Sequence, residues 1–119
     1  MNFEFSNPIK VNELFRPILQ EILKMENISI DELKIKLIVN IKKIYERFES
    51  VQENNINLAD QVLNKFDEAL NLLFFNNLIK KEDDLYFLSD KSKYHIQSLS
   101  PIKINGFSGN VEFILDFLP

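Results

Sequence analysis

The chain has 119 residues, one domain's length, and its 45% hydrophobic content with 11 Phe can build one core, which excludes intrinsic disorder. It has no cysteine, so disulfides, thiolate metal sites and cysteine nucleophiles are excluded. A formal net charge of -4 argues against a chain that seeks nucleic acid as a whole.

The first residues, Met-Asn-Phe-Glu-Phe, lack the basic and apolar regions of a signal peptide. No apolar run reaches the roughly 18 residues of a membrane span. The expectation is a cytoplasmic protein with no membrane contact. Asn2–Phe5 reads as a short strand or arm, ended by a turn at Asn7-Pro8, because Pro8 pushes Asn7 out of helical geometry.

A first helix is expected from about Glu13 to Met25, capped by Asn12, where Leu14, Phe15, Ile18, Leu19, Ile22 and Leu23 recur at helical spacing. Pro17 removes a backbone donor, so a kink or a later start is expected there. The second helix has the clearest start signal. Ser29 and Glu32 form a capping box, and Ile28 and Leu33 a hydrophobic staple. Its stripe of Ile30, Leu33, Leu37, Ile41, Ile44, Phe48 and Val51 is widened by Ile35, Ile38 and Val39, and the helix runs through about Glu49, whole or broken near Asn40.

Residues 52–57 are a polar loop. The third helix is expected from Leu58 to Phe75, capped by Asn57, with the stripe Ala59, Val62, Leu63, Phe66, Ala69, Leu70 and Leu73. Asn76-Asn77 ends it, since Asn tolerates left-handed backbone. A hairpin follows, Leu78–Lys81 and Leu85–Leu88 around Glu82-Asp83-Asp84. Ser89 caps a short helix to about Ser98, which Pro101 stops. In the tail, turn signals at Asn105-Gly106 and Gly109-Asn110 precede Val111–Leu118, which fits strand or helix, with strand favoured.

Three helices and then a hairpin is the order of the winged helix, a helix-turn-helix variant. The fold class read here is mainly α with a small β hairpin, plus a C-terminal apolar tail. The segment FDEALNLLFFNNLIKKEDDLYFL, Phe66 to Leu88, resembles the third helix and wing of small middle-component subunits of bacterial three-component systems, which accompany an ABC-type ATPase and are thought to act in defence. ELFRPILQEIL (Glu13–Leu23) and SIDEL (Ser29–Leu33) resemble the N-terminal winged helix of Mrr-type restriction endonucleases. Together the resemblances cover roughly residues 12–98. They depart at Glu68, where an aromatic is often found, and no nuclease domain is expected within residues 99–119. They imply a winged-helix domain over 1–98 and an extension over 99–119.

Catalytic chemistry finds little footing. His95 is the one histidine and has only carboxylates near it in sequence, so no metal site is read. Asp83-Asp84 reads as a solvated turn tip, and Asp60, Asp67 and Glu68 as helix surface with nothing apolar to make them acid or base. Two glycines, Gly106 and Gly109, cannot build a phosphate loop. No cofactor or small-molecule substrate is expected, and the chain reads as a non-enzyme.

The candidate interaction face is Asp60, Asn64, Asp67 and Asn71 on the outside of the third helix, with Lys80 and Lys81 at the wing base. A helix entering the major groove needs Lys or Arg against the phosphates. This face has carboxylates, although Asn64 and Asn71 are suited to adenine edges. A candidate basic surface, Lys34, Lys36, Lys42, Lys43 and Arg47, lies on the second helix, either a solvated face paired with Glu32, Glu46 and Glu49 or a contact for an acidic partner or DNA backbone. In the tail, Phe113, Leu115 and Phe117 are candidate apolar contacts. Burying such side chains is worth on the order of 1.5–3 kcal/mol each, so the tail is expected to cover this domain or a partner. The leading expectation is a protein-binding accessory subunit with a protein partner or a second copy, possible contact with nucleic acid being weak. The competing one is a DNA-binding regulator or specificity module, and a third is a phage-encoded inhibitor that mimics an acidic surface.

Overall fold

The computed structural model describes residues 10–47 and 58–98. A single 3-10 turn, Val11–Leu14, leads into α1 (Phe15–Met25). The Lys10 N–H donates to Glu13 Oε1 at 2.9 Å while the Glu13 N–H donates to the Lys10 carbonyl at 3.1 Å. This reciprocal pair, rather than Asn12, closes the entry. Pro17 falls in the first turn of α1, where a missing N–H leaves no intrahelical bond unmade. The helix therefore starts later than Glu13, as the proline suggested. At its end Glu26 takes a φ of 67°, and the Asn27 N–H reaches the Met25 carbonyl at 2.8 Å, a tight γ-turn.

That turn delivers β1 (Ile28–Ser29), and α2 (Ile30–Arg47) follows at once. The Glu32 N–H donates to Ser29 Oγ at 3.3 Å, the expected cap, and the staple residues Ile28 and Leu33 are both buried. α2 is one helix through Asn40, whose side-chain amide donates to the Glu21 carboxylate on α1.

α3 (Leu58–Phe75) has the bounds expected of it. Asn77 sits at φ 61°, the Leu78 N–H bonds the Leu73 carbonyl at 3.0 Å, and the Asn77 N–H bonds the Phe74 carbonyl at 3.0 Å. These are the two bonds of a Schellman stop, with Leu73 and Leu78 buried as its apolar pair. Because that stop uses the Leu78 N–H, β2 begins one residue later than expected, at Ile79–Glu82.

β3 (Leu85–Leu88) pairs antiparallel with β2, Ile79 opposite Leu88 and Glu82 opposite Leu85, around a two-residue turn. Asp83 there has a φ of 56°, the hand such turns favour. The sheet has a third strand that the sequence did not reveal. β1 pairs antiparallel with β3, Ile28 opposite Tyr86 and Ser29 opposite Leu85, giving the order β1-β3-β2. Two residues show no alternation, and both already had roles at the start of α2. The described residues are thus mainly helical with a small three-stranded antiparallel sheet.

α4 (Asp90–Ser98) is capped as expected, the Ser92 N–H donating to Ser89 Oγ at 3.3 Å. The Leu78 carbonyl accepts from the Ser89 N–H at 3.1 Å and from Ser92 Oγ, which ties α4 to the start of the hairpin. The core joins Phe15, Ile18, Leu19 and Ile22 of α1 to Leu33, Leu37 and Ile41 of α2 and to Val62, Phe66, Ala69, Leu70 and Leu73 of α3. Leu63, read as part of that α3 stripe, is 40% exposed, because it sits at the margin of the face that meets α1 and α2. Over its first two turns α1 is covered all round: each residue from Phe15 to Ile22 is buried, among them Arg16, Gln20 and Glu21. It packs against α2, α3, β3 and α4, and only its last turn, with Lys24 and Met25, is exposed.

Candidate interaction surface

With Val62, Phe66, Ala69 and Leu73 turned inward, helical geometry sends residues 60, 64, 67 and 71 the other way. Asp60, Asn64, Asp67 and Asn71 are all exposed, so the four residues read from the sequence form one outer face. Three apolar side chains border it: Leu63, Phe74 at 47% exposure and Phe75 at 72%. Glu68 is exposed as well, and Lys65 is half-buried. The face therefore combines carboxylates, amides and bare hydrocarbon.

The hairpin carries Lys80 and Lys81, both exposed, on β2. The Lys81 ammonium lies 5.7 Å from the ring centroid of Tyr86, its cross-strand neighbour. Glu82, Asp83 and Asp84 at the tip are exposed, so the hairpin presents three carboxylates beyond two ammonium groups.

The lysines of α2 do not gather into one basic surface. Lys34 is half-buried with its ammonium 5.5 Å from the ring centroid of Phe66, so it belongs to the packing of α2 on α3. Lys36 is half-buried, and Lys42 and Lys43 are exposed. Arg47 is the last residue of α2, and its side chain lies outside the described ones. The reason for the spread is rotation: residues 34 and 36 point to different sides of a helix, whereas 36 and 43, two turns apart, share one. The excess apolar surface anticipated on this helix is present, with Ile35 at 63% and Val39 at 44% exposure.

No family model, curated protein or solved structure matches the chain.

A polar seam on α1 escaped the sequence reading. Glu21 is 5% exposed, accepts from Asn40 and lies 3.6 Å from the Lys24 ammonium. Gln20 is 6% exposed, and neither its Oε1 nor its Nε2 has a hydrogen-bond partner among the described residues. Polar residues between two apolar stripe positions look like solvent face in a sequence, and no local signal marks them as covered. Among the described residues no three His, Cys, Asp or Glu come together to hold a metal ion, and no helix is long and apolar enough to cross a membrane. The tail candidates Phe113, Leu115 and Phe117 lie outside the described residues, as does the His95 side chain.

Proposed function

We propose that this chain is a winged-helix assembly module: a non-catalytic accessory subunit that uses the outer face of α3 to bind protein. The element order α1-β1-α2-α3-β2-β3, with β1 pairing β3, supports the winged-helix reading, in which α3 takes the place of the recognition helix. The observation that carries the function is the chemistry of that helix. Asp60 and Asp67 stand where a DNA reader needs cations, and Leu63, Phe74 and Phe75 add exposed hydrocarbon beside them. The resemblance to middle-component subunits gives the role a setting, a bacterial anti-phage defence complex built around an ATPase.

A titration of labelled duplex DNA with the full chain, followed by fluorescence anisotropy, tests this reading. Binding is expected to be no tighter than non-specific affinity, about 10⁻⁴–10⁻⁶ M at physiological salt. Nanomolar binding with a steep salt slope, abolished by changing Asn64 and Asn71, would replace the assembly module with a DNA-binding regulator.

A further inference from the structure

Two exposed stripes on different helices have the same spacing and opposite charge. On α2, Lys36, Val39 and Lys43 follow one another at steps of three and four residues. On α3, Asp60, Leu63 and Asp67 do the same. Such steps keep each trio on one helix face, with its charged ends about 10 Å apart. The central residue of each is a partly exposed aliphatic side chain, Val39 at 44% and Leu63 at 40%. Asp60, Asp67 and Lys43 are exposed and Lys36 is half-buried.

Within one molecule α2 and α3 meet through the core that holds Leu33, Leu37 and Ile41 with Val62 and Phe66, and helical geometry sets both stripes off those buried positions. We infer that the α2 stripe of one molecule seats on the α3 stripe of a second copy, Val39 against Leu63 and the two ammonium groups against the two carboxylates. The inference rests on the assembly reading above and names its partner. Because the two halves of the contact differ, it is heterologous, and it forms a ring or an open chain according to whether the rotation closes. One helix pair buries less than the 1,200 Å² or so of a stable interface, so the association is weak, about micromolar or weaker, and salt-sensitive.

Sedimentation velocity of the full chain over a range of concentrations and salt tests it. The expected result is a weight-average mass that rises with concentration and falls with added salt. Reversing the α3 stripe (Asp60→Lys with Asp67→Lys) or the α2 stripe (Lys36→Glu with Lys43→Glu) should each weaken self-association by about tenfold or more, since attraction becomes repulsion at two pairs. Mixing the two variants should restore association, because each supplies the stripe the other lacks, and that rescue also shows both are folded. Asp83→Lys with Asp84→Lys changes the net charge by the same amount as the α3 reversal and should leave association near the wild-type level. A wild type that stays monomeric throughout overturns the inference, as do reversals without effect, a mixture no more associated than its parts, or a hairpin control as weak as the α3 reversal. The anisotropy titration separates the two failures: loss of self-association in a chain that still ignores duplex DNA removes the second copy alone.

Discussion

Phe66 is fully buried on α3, with the Lys34 ammonium over its ring, so one side chain holds α2 and α3 together and occupies a basic residue of the second helix. Truncating it leaves a cavity that close-packed neighbours fill only in part. Phe66→Ala should destabilise the chain by about 3–5 kcal/mol in denaturant unfolding. A loss below roughly half a kcal/mol, the scale of surface substitutions, would put the wrong face of α3 inward. Gln20 makes the opposite case. Its amide is buried without a hydrogen-bond partner among the described residues, and such a group carries a desolvation penalty of about 1–3 kcal/mol. Gln20→Leu, close in size, should raise the unfolding midpoint, and a lower midpoint would mean that the amide is bonded in solution. Phe66 was legible in the sequence because it repeats with Val62, Ala69 and Leu73. Gln20 was not, because burial on the far side of α1 depends on what the rest of the chain lays over it.

Among the elements, those with chemical punctuation formed as read. Ser29 caps α2, Ser89 caps α4 and Asn77 stops α3, each through a bond to a residue within five positions. Ser29→Ala should therefore cost about 1 kcal/mol, as loss of an N-cap does, measurable by chemical denaturation. No loss at all would mean that Ser29 matters only as a member of β1. That strand shows where local reading fails. Ile28 and Ser29 pair with Tyr86 and Leu85, more than fifty positions away, and nothing in a two-residue segment announces so distant a partner. The start of α1 failed in a milder way: Asn12 was a sound cap by residue type, yet the helical entry begins two residues earlier, where Lys10 and Glu13 bond each other.

For the molecule as a whole, α1 touches α2, α3, β3 and α4, and β1 links the helices to the sheet. No described element has a core of its own, so the described part should unfold as one unit. Thermal unfolding followed by far-ultraviolet dichroism, which reports the helices, and by the near-ultraviolet signal of the tyrosines should give coincident transitions. Separated midpoints would mean that the packing around the tyrosines is lost apart from the helices themselves. The candidate surface belongs to this scale too. Its α3 half, Asp60, Asn64, Asp67 and Asn71, was legible as soon as the apolar stripe was seen, because inside and outside of a helix are complementary. The α2 half was legible only as a list of lysines; burial and rotation separated Lys34, turned onto Phe66, from Lys36 and Lys43.

By itself the sequence determined the helices and the hairpin, most of their ends and most of the inward face of α3, because helical period, capping and turn chemistry act over a few residues. The tertiary structure alone decided the third strand, the burial of α1 from Phe15 to Ile22 and the exposure of Leu63, since each depends on which distant segment comes to lie alongside. It also decided that Lys34 turns onto Phe66 while Lys43 stays in solvent, and that follows from how α2 and α3 are rotated when their apolar faces meet.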